Sequence, residues 1–368
     1  MSTELSQCKR VVVHRIGSLG DTLVALPAFH LVRQVFPEAH ITLLTNVPVN
    51  AKVAPMEDIL RNTNLYDDSL SYPTSLRDVA KLSELRRTLK AGRYDCLIYL
   101  TEPKGGILSS IRDYLFFRFC GIRRVLGIPF SSRTLRPAVI PDSGLFISET
   151  ARVLECIRRL GTVDVKDPRW WDLQLTAMEI AEAETVLRNH AISGPFLAAS
   201  VGTKIQPNDW EEHNWKRLME RLAADFPDLP LVLFGASEER ERCERLAEIW
   251  KGPKANLCGV TSPRVSAAVL RGAVLMLCHD SGPMHLAATM GVPCVAIFSA
   301  RNPPGVWYPR GENHTILYHR VPCGGCKLTM CVEKKKECIL SIRVEEVHAA
   351  VLAQLARRGI RVAKGGAL

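Results

Sequence analysis

The chain has 368 residues, 47% hydrophobic and 23% charged, with a formal net charge of +10. That composition is globular and excludes a disordered or collagen-like chain, and the length suits two cores of roughly 170–190 residues each. No apolar run reaches the ~18 residues of a membrane helix, and the polar first eight residues lack the pattern of a secretory signal, so a cytoplasmic protein is expected.

In chain order, residues 10–16 (RVVVHRI) read as a buried parallel strand, 17–20 as a turn and 21–36 as a helix that stops before Pro37. Residues 39–44 and 95–100 read as strands, with a helix around 76–91 between them. A second series begins at 196–200, a strand. It continues through helix 215–225, strand 231–234, helix 237–250, helix 265–271, strand 274–278, helix 284–290 and strand 292–298. A last helix is expected at 344–358. This rhythm predicts an α/β chain with two doubly wound parallel sheets. The boundary falls between 165 and 195, taken as 1–180 and 181–368. Open parallel sheets bind ligands at the carboxyl ends of their strands, and two such edges facing a central cleft suit a two-substrate reaction.

Four strand-end turns carry candidate chemistry. Ser18-Leu19-Gly20-Asp21 puts a carboxylate at the lip of the first sheet. Asp21 there is either a general base for an acceptor hydroxyl or a plain helix cap, and full capping would weaken it as a base. Asp280-Ser281-Gly282-Pro283 ends an apolar strand and opens a small-residue helix, whose free N–H groups suit a diphosphate. Thr203 and Lys204 follow strand 196–200 and suit phosphate contact. Glu239 follows strand 231–234 and can take ribose hydroxyls or simply open a helix.

Twelve cysteines are present. Eight are scattered and read as small buried hydrophobes. Cys323, Cys326, Cys331 and Cys338 are clustered, around a Gly-Gly knuckle and among lysines. They are the candidate ligands of a structural Zn or Fe, with a reduced, unmetallated loop as the alternative. Segment 81–136 is strongly basic and includes the aromatic run Tyr114-Leu115-Phe116-Phe117-Arg118-Phe119. It suits phosphates or a membrane surface. No recognition helix or RNP aromatics are found, so nucleic acid is not an expected partner.

Arg15-Ile16-Gly17-Ser18-Leu19-Gly20-Asp21 with Leu26-Pro27 resembles the amino-terminal signature of glycosyltransferase family 9, the heptosyltransferases of lipopolysaccharide core assembly. Asp280-Ser281-Gly282-Pro283-Met284-His285-Leu286-Ala287-Ala288 with Gly291-Val292-Pro293 resembles its donor signature. The resemblance runs in order along nearly the whole chain. It implies a GT-B fold of two Rossmann-like domains, the first for the acceptor and the second for a nucleotide sugar. It implies an inverting displacement, with ADP-heptose as donor and an anionic, lipopolysaccharide-core-type glycolipid as acceptor at the inner membrane. No cofactor is implied for catalysis.

By position, Asp21 matches the family's proposed base, with Ser18 and Gly20 on the acceptor-side loop. Asp280 matches the carboxylate that holds the donor sugar. Ser281, Gly282 and His285 match the donor phosphate and sugar loop, Thr203 and Lys204 the phosphate-contacting stretch, and Glu239 the ribose position. Asn208 stands where members often carry Lys, and Glu211 where Pro is usual; Lys204 in the same loop offers a positive charge instead. The cysteine loop is similar to the iron-binding finger of the autotransporter heptosyltransferases, which makes a protein acceptor one alternative. A nucleotide-sugar epimerase on the same fold is the other.

Overall fold

A computed structural model of the chain describes residues 5, 7–47, 55–73, 79–102 and 105–363, and the chain divides into two units, Met1–Gln174 and Leu175–Leu368. Lys104 and residues 76–78 of the expected helix lie outside the described residues. Among the described residues, no helix is long and apolar enough to cross a membrane.

The first unit is built on five parallel strands: β1 (Arg10–His14), β2 (His40–Asn46), β3 (Asp68–Tyr72), β4 (Cys96–Tyr99) and β5 (Arg124–Leu126). Val11, Val12, Val13, Ile41, Leu43, Leu97 and Ile98 are fully buried, which is why β1, β2 and β4 read as near-continuous apolar runs. β3 (DSLSY) and the three-residue β5 are the edge strands, too polar or too short to show that pattern. The single helix expected over 21–36 is two helices, Leu19–Val24 and Leu26–Val35. Pro27 has no N–H to donate, and its ring would press on the carbonyl of Leu23, so one helix cannot run through.

The second unit has six parallel strands: β6 (Phe196–Ser200), β7 (Leu231–Leu233), β8 (Lys254–Asn256), β9 (Ala273–His279), β10 (Cys294–Phe298) and β11 (Thr315–Tyr318). Its core gathers Trp210, Trp215 and Trp250 with the buried side of helix Glu212–Asp225 and the closing helix Val344–Ala356. The helix expected over 237–250 begins as a 3₁₀ turn, Ser237–Glu239, before helix Arg240–Ala247.

The strand orders are β3-β2-β1-β4-β5 and β11-β10-β9-β6-β7-β8. Both are doubly wound Rossmann-like orders, as expected from the sequence. Each reverses direction once. In the first unit the reversal lies between β1 and β4, where His14 pairs with Tyr99; in the second it lies between β6 and β9, where Ser200 pairs with Cys278. The turns that leave β1, β6 and β9 therefore start at the switch points where such sheets hold ligands.

Candidate active-site residues in each unit

In the first unit, β1 ends at His14 and the chain bends through Gly17 into helix Leu19–Val24. Ser18 is the N-cap residue, Gly20 lies inside the first helical turn, and Asp21 is the third helical residue. Asp21 Oδ2 accepts from the Ser18 N–H at 2.9 Å and from Ser18 Oγ at 3.3 Å. Asp21 thus caps by reaching back one turn, as the second half of a capping box. Gly17 has φ +144°, and a Cβ there would strike the Cβ and carboxylate of Asp21. Only glycine leaves that space and accepts that backbone angle. The other oxygen, Oδ1, makes no hydrogen bond among the described residues and stands 4.0 Å from Arg15 Nη2.

Arg15 is almost wholly buried. Its Nε and Nη2 donate to the backbone carbonyl of Asp21 at 3.2 and 2.9 Å, and its Nη1 donates to the Leu100 carbonyl. Nη1 also lies 3.2 Å from Glu149 Oε1. Arg152 grips the same carboxylate with two bonds, at 2.7 and 2.8 Å. Burial by itself would raise the pKa of Glu149; the bonds from Arg152 and the charge of Arg15 outweigh it and leave the group below the ordinary Glu range. In the sequence Arg15 stands out only as part of a motif, and no motif marks Glu149 or Arg152. Glu149 lies 134 positions from Arg15, so no local pattern links them.

In the second unit, Glu239 lies on the 3₁₀ turn after β7, with Oε2 accepting from the Ala236 N–H at 2.9 Å. Its carboxylate occupies the space where a Cβ on Gly202 would stand. Burial raises the pKa of Glu239, while the Ala236 N–H and the positive charge of Lys204 oppose the rise. Gly202, Lys204 and Glu239 are thereby brought into one cluster. Thr203 spends its hydroxyl within its own loop, donating to the Ile205 carbonyl at 3.4 Å and accepting from the Ile205 N–H at 3.3 Å.

β9 leads directly into Asp280, Ser281 and helix Gly282–Thr289. Ser281 is the N-cap residue, but its Oγ donates to the His279 carbonyl at 3.4 Å, so the N-cap side chain does not cap the first turn. Uncapped N–H groups and the helix dipole make that turn suited to an anion. The Asp280 carbonyl accepts from Asn208 Nδ2 at 3.3 Å, and Asn208 Oδ1 accepts from Ser299 Oγ at 2.5 Å. The position where the family pattern carries Lys is therefore a buried clamp between loops. His285 is buried with its ring edge-on to Trp307, and burial lowers its pKa to about 4, so it is neutral at pH 7.

His279, the last residue of β9 and unmarked by any motif of its own, joins these loops. Its Nε2 accepts from the Trp210 N–H at 3.2 Å and from Trp215 Nε1 at 3.3 Å. The proton therefore sits on Nδ1, 3.5 Å from the Gly202 carbonyl. Burial lowers this pKa also to about 4. A neutral, fully buried imidazole ties the turn after β9 to the loop after β6.

All four clustered cysteines are free thiols, Cys326 exposed and the others half-buried. Burial is the main cause that raises the pKa of Cys338, and Cys323 and Cys331 add to it. Among the described residues, no group of three or more His, Cys, Asp or Glu could hold a metal ion. As placed, the four sulfurs do not form the ligand set that their spacing suggests. The loop is bound instead to the segment after β6. The Cys331 N–H donates to Gln206 Oε1 at 2.9 Å, and Lys336 Nζ donates to the Asp209 carbonyl at 3.0 Å and pairs with Glu211 at 2.8 Å.

The sequence model of glycosyltransferase family 9 (heptosyltransferase) matches residues 82–337. Lipopolysaccharide heptosyltransferase 1 of Pseudomonas aeruginosa is 26% identical over 89% of this chain and 89% of its own length. The lipopolysaccharide core heptosyltransferase OpsX of Haemophilus influenzae is 31% identical over 80% of each chain. The structure of the E. coli heptosyltransferase WaaC with ADP-2-deoxy-2-fluoro heptose shares the fold, with a TM-score of 0.58 at 17% identity, covering 95% of this chain and all of that one.

Proposed function

From the premise that the chain belongs to glycosyltransferase family 9, we propose that it transfers heptose from ADP-heptose to an anionic glycolipid of the lipopolysaccharide core type, with inversion at the anomeric carbon, at the cytoplasmic face of the inner membrane. The relatives' names support the sugar and the acceptor class, and the ADP-sugar analogue in the E. coli structure supports the nucleotide. The observation that carries the reading is the siting of the candidate residues. The turn with Asp21 leaves β1, and those with Lys204 and Asp280 leave β6 and β9, at the strand-order reversals of their sheets.

In this reading the acceptor belongs to the first unit. Ser18 occupies Oδ2 of Asp21, so Oδ1 is the oxygen that takes the acceptor's proton. The acceptor oxygen bonds to the anomeric carbon as the bond from that carbon to the diphosphate breaks, and the electron pair leaves with ADP. The donor belongs to the second unit. The uncapped first turn of helix Gly282–Thr289 and Lys204 meet the diphosphate charge, which grows in the transition state. Glu239 takes the ribose hydroxyls and Asp280 the sugar hydroxyls.

The test is an assay of purified protein with ADP-heptose and a heptose-deficient core glycolipid, following ADP release and acceptor mass. One added heptose per acceptor, absent in Asp21→Asn while ADP-heptose still raises the melting temperature, is the expected result. Donor turnover without any acceptor would overturn the reading in favour of an epimerase. Modification of a co-purified protein instead of the glycolipid would replace the acceptor class.

A further inference from the structure

Helix Gly106–Phe119 is built inside out. Its buried positions are Ser109, Ser110 and Phe117, and its half-buried Asp113 accepts from the Tyr99 hydroxyl at 2.8 Å. Its exposed positions include Ile107, Leu108, Ile111, Leu115 and Phe119, with Leu108 76% and Phe119 68% exposed. At 100° per residue these five span about 120° of arc, with Arg118 close to one margin and Arg112 just beyond the other. A surface helix ordinarily arranges its residues the other way round, and a contiguous exposed apolar stripe marks a place of interaction.

The surroundings state what kind of partner fits. Arg86 Nε donates to the Phe119 carbonyl at 3.3 Å, so helix Val79–Ala91 lies alongside the end of the stripe. That helix buries only Leu89 and carries Lys81, Arg86, Arg87 and Lys90 against Glu84. On the other side, exposed Phe130 packs edge-on against Tyr114, ring centroids 6.0 Å apart, and widens the apolar surface. Segment 81–136 holds twelve Lys or Arg against four Asp or Glu, which is eight of the chain's ten net positive charges. A nucleic acid would use the charge but leave Leu108, Ile111 and Leu115 in water. An apolar protein groove would use the stripe but leave the charge without a counterpart. A bilayer with anionic headgroups uses both.

We infer that this face docks the first unit on an anionic membrane surface, with helix Gly106–Phe119 lying in the interfacial plane and its stripe among the headgroups. The inference deepens the proposed function, because a glycolipid acceptor lies in such a surface, and it rests on that reading only for its purpose. Docking itself needs no donor and no turnover.

The experiment is flotation of the full chain, without donor, with vesicles rich in phosphatidylglycerol and with pure phosphatidylcholine vesicles. The wild type should float with the anionic vesicles and release as salt is raised. The double variant Leu108→Asp, Phe119→Asp changes only exposed side chains and should weaken flotation by about tenfold or more, and Arg86→Glu by a smaller factor. Thermal shift with ADP-heptose should be the same in all variants, which separates this inference from the proposed function. If the donor shift fails but stripe-dependent flotation remains, the docking face stands and the sugar transfer falls. Equal flotation with both lipids, or flotation unchanged in the double variant, would overturn the docking face. So would a halving of the solution mass in the double variant, which would make the stripe a contact between copies of the chain.

Discussion

Arg15 and Asp21 are joined through the backbone rather than through their charges: two guanidinium N–H groups end on the Asp21 carbonyl at 3.2 and 2.9 Å, while the nearest carboxylate oxygen is 4.0 Å away. The guanidinium can therefore fix the turn without using up Oδ1. Its own charge is balanced from behind by Glu149, which Arg152 shares. The turn that presents Asp21 thus depends on a buried trio drawn from elements far apart in sequence.

Glu149→Gln should be strongly destabilising, because it leaves two buried guanidinium groups facing a neutral amide. Removal of one partner from a buried pair costs about 3–5 kcal/mol. The folded-state pKa of Glu149 is depressed, so its contribution is complete above the ordinary Glu range and is lost as pH falls through the lower folded value. Urea unfolding followed by circular dichroism should show the variant less stable at pH 7, with the difference shrinking in acid.

Gly17→Ala should act on chemistry more than on binding. The new methyl group would collide with the Asp21 carboxylate at a backbone angle that suits glycine. A shift of about 1 Å in a reacting group can cost 100-fold in rate. We expect turnover to fall by roughly that factor while ADP affinity, measured by calorimetry, stays unchanged. Equal losses in both would place Gly17 outside the acceptor side.

Gly202→Ala should show the opposite pattern. Its methyl group would overlap the Glu239 carboxylate and push it from the cluster with Lys204. ADP affinity should fall by about tenfold or more, the loss of a buried charged hydrogen bond or two. Glu239→Gln should fall less, since the amide keeps an acceptor oxygen in place. Unchanged ADP affinity in both variants would remove Glu239 from the donor site.

Three buried histidines predict how stability depends on pH. Burial lowers the pKa of His14 to about 3, and of His279 and His285 to about 4. Each binds a proton in the unfolded chain near the ordinary value of about 6.5 but stays neutral in the fold. Their stabilisation is therefore complete above that value and is lost as pH falls from about 6.5 towards 4. The urea midpoint should be flat above pH 7 and fall steeply below 6.5. His279→Gln should be less stable at pH 7 and should flatten part of the slope. A midpoint constant down to pH 5 would contradict the neutral assignment.

How much of this was legible in the sequence depended on how local the signal was. β1, β6, β9 and β10 were readable because burial on both faces writes a continuous apolar run. β3, β5, β8 and β11 were not, because edge strands are short or half-exposed. Asp21 and the Asp280 turn stood out because each lies on the turn that leaves a readable strand. The partners that hold them did not. His279 reads as one more residue of a buried strand until Trp210 and Trp215 are seen donating to it, and Glu149 has no sequence neighbour that announces Arg15. Helix Gly106–Phe119 was the reverse case: its aromatic run was plain in the sequence, and only the inward serines show which side faces out.

The strand order also bears on how the chain is made. Each sheet is joined across its reversal by strands far apart in sequence, Val11 pairing with Cys96 and Leu197 with Leu275. Long loops must close before such contacts form, which makes parallel sheets slow to nucleate. The first sheet has all of its strands by Leu126, before any of β6 has been synthesised. The second cannot close its centre until β9 has emerged. On a ribosome the first unit can therefore close its sheet while the Trp210 and Trp215 core is still missing its central strand, and the apolar segments of β6 and β7 must wait exposed for β9 to reach them.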